Sequence, residues 1–156
     1  METNTFYAVT AATCFTLVGL WWSVVKSRPE WLKSEATRRL AGGVYASFLI
    51  PGLMSLAAQI GGTSPFVWQL VFIIAAGAGI LFSSRLIALT RESMPGGAFS
   101  RNSWAVPVLY GLVLLFALFP GFARIVGLAP LQLEALLLSG LILVAHMLAW
   151  EFMTNM

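Results

Sequence analysis

The sequence predicts an all-α integral membrane protein, a bundle of five transmembrane helices with the N-terminus outside and the C-terminus in the cytoplasm. Apolar side chains make up 59% of the 156 residues and charged ones only 10%, whereas soluble domains are about a quarter charged. Five apolar stretches are long enough to cross a bilayer, and the basic residues collect on one side of them. This composition excludes a secreted mini-protein, a nucleic-acid-binding domain and a disordered tail.

The spans follow from the thickness of the bilayer. A hydrocarbon core of about 30 Å requires roughly 20 apolar residues in a helix, because lipid cannot satisfy the backbone of open strands or loops. We predict spans from Phe6 to Val25, Leu40 to about Ile60, Phe66 to Ser84, Trp104 to about Ala123 and Leu131 to about Phe152. They form a single polytopic domain over residues 1–156. The fourth span has the least certain end, since Pro120-Gly121 can stop the helix a turn early.

The distribution of Lys and Arg predicts the orientation, because cytoplasmic loops carry an excess of basic residues. Arg124 alone lies on one side of the five predicted spans. The eight on the other side are Lys26, Arg28, Lys33, Arg38, Arg39, Arg85, Arg91 and Arg101. The predicted location is therefore the plasma or inner membrane, with the eight-residue side in the cytoplasm. The first five residues contain no basic side chain, so the first span is not expected to be a cleavable signal peptide.

The first cytoplasmic segment carries a possible helix start. Ser27 and Glu30 have the spacing of a capping box, which predicts an interfacial helix from Arg28 to Arg39 with Trp31 and Leu32 in the headgroup region. A bare connector that carries basic topology signals is the alternative.

Three spans carry stripes of small and polar residues, the side chains through which helices associate in lipid. At spacings of three and four, the fifth span has Gln132, Ala135, Ser139, Ile142, His146, Ala149 and Met153. The third span has Gln69, Phe72, Ala76, Gly79, Ser83 and Leu86 at the same spacing. The second span begins with Gly42, Gly43, Ala46 and Ser47. These stripes predict helix contacts, within the chain or with another one.

Pro51-Gly52 is expected to kink the second span, since proline removes a backbone donor inside a helix.

His146 is the only histidine and lies roughly 22 Å below the start of its span. An ionisable residue inside the membrane is a candidate for function. Two functional hypotheses are a proton relay and a cofactor-binding role as ligand to a haem or pigment. The sequence favours a third, a neutral imidazole that forms a hydrogen bond to a serine or a carbonyl across the helix seam. No cofactor is identified by the sequence, and no metal site is predicted.

The remaining reactive groups favour structural roles. Cys14 is the only cysteine, so it forms no internal disulfide, and we expect it to be a small packing residue. Glu151 is expected to be solvated near the cytoplasmic interface or paired with an arginine there. Arg124 and Glu134 flank the last outer loop, where a surface ion pair would contribute about 0–1 kcal/mol.

Two main functional hypotheses follow, and an intramembrane enzyme is a third behind them. The first is a non-catalytic inner-membrane subunit that packs within or beside a larger membrane assembly, supported by the small-residue stripes, the short loops and the lack of a catalytic constellation. The alternative is an oligomeric channel or small-solute transporter, with His146 and Pro51-Gly52 as relay or gating elements. The expected partners are the lipid bilayer and either other membrane subunits or further copies of the chain, with no nucleic acid.

Overall fold

The computed structural model describes residues 3–61, 64–93 and 97–155, and these residues form helices and no strand. The α-helices are α1 (Thr3–Ser27), α2 (Glu35–Ile60), α3 (Pro65–Ser93), α4 (Ala98–Asn102), α5 (Ala105–Leu118) and α6 (Pro130–Asn155). Short 3₁₀ helices at Pro29–Leu32 and Pro120–Val126 lie between them. Helices α1, α2, α3 and α6 are each long and apolar enough to cross a membrane. The chain is thus an all-helical protein of the kind that forms membrane bundles.

Helix α5 is shorter than the predicted fourth span. It ends at Leu118, because the next residue, Phe119, precedes a proline and has φ −125° and ψ 67°, outside the helical region that a following proline disfavours. The 3₁₀ helix from Pro120 then ends at Gly127, whose φ of 72° suits glycine. The 14 residues of α5 rise about 21 Å. The α-helix of the predicted fourth span therefore ends before Ala123, next to the proline that was expected to stop it early.

The first connector also differs from its prediction. Ser27 does not cap a following helix: its hydroxyl donates to the carbonyl of Val24 within α1. The 3₁₀ helix Pro29–Leu32 follows instead, and α2 begins at Glu35. Trp31 is buried against the bundle rather than placed in the headgroups, while Leu32 is exposed. The aromatic ring of Trp31 is buried because Trp21 and Phe152 pack against it.

Helices α1, α2, α3 and α5 each run antiparallel to the next. This direction follows from two contacts across each interface: Cys14 with Gly52 and Trp22 with Tyr45, Gly43 with Leu86 and Gly61 with Trp68, and Gly79 with Tyr110 and Gln69 with Ala117. Helix α2 is central, since it packs against α1, α3 and α6. Most of its residues between Leu40 and Ala58 are buried or half-buried. Helix α2 is continuous through Pro51.

Each end of the bundle has its own aromatic cluster. At the end where α1 finishes, Trp21 stacks on Trp31, and Phe152 packs edge-on against both. We call this the basic end, because the eight basic residues on the predicted cytoplasmic side belong to it. At the opposite end, Phe72 packs edge-on against Tyr7 and Trp68. Tyr7 also joins two helices there, since its hydroxyl donates to the carbonyl of Leu131 at 2.7 Å.

Gly79 allows the close approach of α3 and α5. A Cβ atom at this position would lie 2.5 Å from Cε1 of Tyr110, closer than two carbon atoms can approach without movement of the ring. We expect Gly79→Ala to lower the free energy of unfolding by about 1–3 kcal/mol relative to Gly77→Ala. Gly77 is the matched control, because it lies on the same helix with nothing within 4 Å of its Cβ position. Thermal unfolding in mild detergent measures the difference, and equal melting temperatures would contradict the tight contact.

Candidate functional site

The stripe predicted on the third span faces into the bundle. The five stripe members after Gln69 are all buried, while Gln69 itself is half-buried. The side-chain amide of Gln69 donates to the carbonyl of Ala117 at 3.3 Å, which ties the start of α3 to the end of α5. The buried members are Phe72, Ala76, Gly79, Ser83 and Leu86. This face of α3 is therefore occupied by α2 and α5 of the same chain.

The small residues of α2 also lie mostly inside. Gly43 is buried, and a Cβ atom there would lie 2.5 Å from Cδ1 of Leu86. The half-buried Ser47 donates its hydroxyl hydrogen to the carbonyl of its own helix at Val44, 2.8 Å away. Gly42, by contrast, is exposed. The glycine at 43 thus sets how closely α2 and α3 approach.

Pro51 and Gly52 are both buried in α2. A Cβ atom at Gly52 would lie 3.0 Å from Cβ of Cys14, which is itself buried in α1. Cys14 therefore packs where two helices meet, and the Pro51-Gly52 pair lies against that contact. The predicted kink at this point stays a prediction.

The stripe predicted on the fifth span faces outward instead. Ala135 is its one buried member, Ile142 and Ala149 are half-buried, and the other members, Gln132, Ser139, His146 and Met153, are exposed. The buried residues of α6 are Glu134, Ala135, Leu138, Leu141, Ala145, Leu148, Glu151 and Phe152. Most of these residues lie one position away from a stripe member, which is about 100° around the helix. The face that fills the interior is therefore the leucine-bearing face next to the stripe. We call the four exposed residues Gln132, Ser139, His146 and Met153 the outer stripe.

His146 belongs to this outer stripe. Its Nδ1 lies 2.8 Å from the carbonyl oxygen of Ile142, one turn earlier in α6, and its ring packs edge-on against Phe48 with centroids 5.1 Å apart. This carbonyl belongs to the same helix, so the bond differs from the hydrogen bond across the helix seam that the sequence favoured. The described residues place no group of three or more His, Cys, Asp or Glu side chains together.

Glu151 is not solvated as expected. Its side chain is 3% exposed, and one carboxylate oxygen accepts a hydrogen bond from the backbone N–H of Phe99 at 2.6 Å. Gly97 supplies the space, because a Cβ atom at that position would collide with the carboxyl group. Glu151 makes no ion pair with an arginine among the described residues; the ion pairs there are Arg28 with Glu30 and Arg39 with Glu35. The buried N–H of Phe99 needs an acceptor, and the Glu151 carboxylate supplies it. The resulting hydrogen bond joins α4 to α6.

Glu134 is the site residue that the sequence did not indicate. The expected surface pair with Arg124 was wrong: Arg124 is exposed, whereas Glu134 is 0% exposed inside the bundle. Neither carboxyl oxygen has a hydrogen-bond partner among the described residues. Glu134 lies one turn beyond Leu131, the residue whose carbonyl accepts the hydrogen bond of Tyr7. Its position four residues before Leu138, on the leucine-bearing face, was the available signal for burial.

A pocket of about 480 Å³ lies at the same end of the bundle. Tyr7 and Leu131 line it, together with residues from the start of α1 and the end of α2: Thr3, Asn4, Ala58, Gln59 and Ile60. Two of the lining residues, Tyr7 and Leu131, also form the hydrogen bond that joins α1 to α6 one turn before Glu134.

A groove of about 800 Å³ lies between α2 and α3 at the basic end. Arg39 and Arg85 line it beside Glu92, and apolar side chains such as Phe82 and Leu89 form the remaining wall. The exposed Gly42 contributes no side chain to it. The groove therefore combines guanidinium groups with an apolar wall.

Comparisons with protein-family models, with curated proteins and with solved structures found no match.

The hydrogen bond between Glu151 and Phe99 yields a stability prediction. Glu151→Ala leaves the buried Phe99 N–H without its acceptor, which should cost about 1–3 kcal/mol of unfolding free energy. Glu151→Gln keeps an acceptor oxygen and should cost less. Thermal unfolding in mild detergent compares the two variants with Glu92→Ala, the control at an exposed glutamate of the same end. A loss for Glu151→Ala no larger than for Glu92→Ala would contradict the role of this bond.

Proposed function

We propose that this protein is a non-catalytic, multi-pass subunit of the cell membrane that packs within or beside a larger membrane protein assembly. The observation that carries the proposal is the outer stripe of α6. Small and polar side chains are the groups through which helices associate in lipid, and here they lie on the surface of a long apolar helix. The interior positions of α6 are already filled by other residues. The outer stripe is thus available to a helix of another chain.

The side chains of the outer stripe fit this role. The Ser139 hydroxyl bonds the carbonyl of Ala135, and Nδ1 of His146 bonds that of Ile142. Each side chain therefore remains compatible with an apolar surface, while Nε2 of His146 offers a further hydrogen bond to a neighbour. Because Ser139 is small, a partner helix can approach α6 closely at this point.

The proposal includes five spans, with the N-terminus outside and the C-terminus in the cytoplasm. Helix α5 is short, but Tyr110 meets Gly79 and Ala117 meets Gln69. Its 14 residues therefore run beside most of the apolar part of α3, and the 3₁₀ helix that follows extends the crossing. The eight basic residues at the basic end support a cytoplasmic location for that end.

The groove between α2 and α3 supports the same orientation. Its Arg39 and Arg85 side chains are suited to the phosphates of anionic lipids, which are enriched in the cytoplasmic leaflet. Its apolar wall, including Phe82, suits an acyl chain.

The second candidate function is an oligomeric channel or small-solute transporter. Glu134 is the observation that favours it, because unpaired ionisable groups within membrane helices mark ion and proton pathways. Pro51-Gly52, packed against Cys14, would supply the moving element, and His146 would act at the contact between copies.

Substitution of the outer stripe tests the proposed function. Ser139→Leu and His146→Leu place bulk on the stripe and remove polar contacts, so each should weaken assembly by about 1 kcal/mol or more, roughly fivefold in affinity. Native purification in mild detergent, with mass measurement and identification of the chains that accompany the protein, gives the readout. Loss of unrelated chains from the variants supports the subunit hypothesis. Loss of a symmetric homomer that conducts in liposomes supports the second candidate.

Thr16→Leu is the matched control. Thr16 is exposed in the middle of α1, and its hydroxyl bonds the carbonyl of Ala12 one turn earlier, as Ser139 does in α6. This variant should leave assembly unchanged. A wild-type protein that purifies as a monomer without conductance would refute both functions.

A further inference from the structure

Glu134 is an acidic side chain enclosed in an apolar interior. It has no exposed surface, and neither oxygen has a partner among the described residues. Leu138, one turn after Glu134 on the same face of α6, is also buried, and so is the next residue after Glu134, Ala135. An isolated ionised carboxylate is far more costly to bury than a neutral polar group. The closed bundle therefore accommodates Glu134 as the neutral acid, with its proton on the carboxyl group.

A proton is the ligand that this site can take. A metal ion needs several oxygen, nitrogen or sulfur ligands, and the described residues place no three His, Cys, Asp or Glu side chains together. An organic cation needs free volume against the carboxylate, which a fully enclosed side chain does not provide. We infer that Glu134 is a proton-binding site inside the bundle and that it exchanges its proton with water through the pocket lined by Tyr7 and Leu131.

The contact between α1 and α6 provides the route. The hydroxyl of Tyr7, itself 1% exposed, donates to the carbonyl of Leu131 at 2.7 Å, and both residues line the 480 Å³ pocket. Leu131 and Glu134 lie three residues apart, on the same side of α6. When the bond between Tyr7 and Leu131 opens, water from the pocket reaches Glu134. The carboxylic acid then gives its proton to water and becomes a carboxylate, and the reverse step restores the acid before closure.

The surrounding charges leave the proton on Glu134. Tyr7 on α1 and Tyr110 on α5 belong to the apolar cluster that also contains Ala135 and Leu138 of α6. The parts of α2 and α3 in that cluster contribute no titratable side chain. Arg124, in the neighbouring 3₁₀ helix, is exposed and makes no ion pair with Glu134 among the described residues. No described cation therefore stabilises the carboxylate in the closed state.

This inference is independent of the partner contact proposed for α6. Glu134 and Ser139 are five residues apart and point about 140° from each other around the helix. Assembly through the outer stripe can consequently fail in an experiment while proton binding at Glu134 persists, and the reverse also holds.

Infrared difference spectroscopy of the full-length protein in lipid tests the inference. The wild type should show the C=O band of a protonated carboxyl at neutral pH, and the band should shift in D₂O. Glu134→Gln should remove the band entirely, whereas Glu151→Gln should retain it, since Glu134 remains in place. Should Glu134→Gln fail to fold, Glu134→Asp keeps the acid on a shorter side chain and should move the band in frequency. A band that is absent in the wild type, or that persists unchanged in Glu134→Gln or in Glu134→Asp, overturns the inference.

The exchange rate of the same band tests the route. Tyr7→Phe removes the hydrogen bond to Leu131, so deuterium exchange at Glu134 should become roughly fivefold to tenfold faster. Tyr45→Phe is the control, because Tyr45 lies toward the basic end of α2, where its ring packs against Trp22. An exchange rate that is the same in Tyr7→Phe and the wild type, or a band that never exchanges, overturns the proposed route.

Discussion

The close approach of helices at small residues is the constraint on which the rest of the bundle depends. In lipid, burial of leucine between helices gains little over its contact with acyl chains, so packing and polar contacts must hold the helices together. Gly43 admits Leu86, and Gly79 admits the ring of Tyr110. These two contacts place α3 between α2 and α5. The other helices take their positions around that arrangement, because α2 also packs against α1 and α6.

Polar groups are treated differently at the two ends of the bundle. At the basic end, Glu151 accepts the N–H of Phe99, and the indole N–H of Trp21 donates to the carbonyl of Ala41 at 2.9 Å. These bonds join connecting segments and neighbouring helices, and they satisfy groups that would be costly to bury alone. At the opposite end, Glu134 remains without such a partner. Hydrogen bonds therefore join helices at both ends, since Tyr7 bonds Leu131 at the opposite end, but only that end holds a buried carboxyl group with no partner on either oxygen among the described residues.

The sequence predicted the parts of this structure that depend on local chemistry. Apolar length located α1, α2, α3 and α6, and the small residues of α3 lie where tight packing needs them. Pro120 ends α5 because a proline restricts the residue before it. The face that α6 presents to the bundle could not be predicted in the same way. Leucine is about equally stable in lipid and in the protein interior. The sequence alone therefore does not distinguish whether the leucine-bearing face or the small polar face of α6 is buried.

That ambiguity also explains why the sequence points to His146 and not to Glu134. The sequence gives the depth of each residue and the type of its side chain, whereas the rotation of α6 about its axis decides which of the two is buried. That rotation is set by bulk: Leu138, Leu141 and Leu148 fill the space between α2 and α5, which Ser139 and Ala149 cannot fill.

With this rotation, Glu134 faces inward and His146 outward, so one helix carries an enclosed acid on one face and a potential contact surface on the other. The side chains of a partner bound to the outer stripe would not contact the interior face of α6. The effect of such a partner on Glu134 would act through the packing of α6 against α1, α2 and α5. Of these contacts, the hydrogen bond between Tyr7 and Leu131 links the position of α6 to the proposed path for proton exchange.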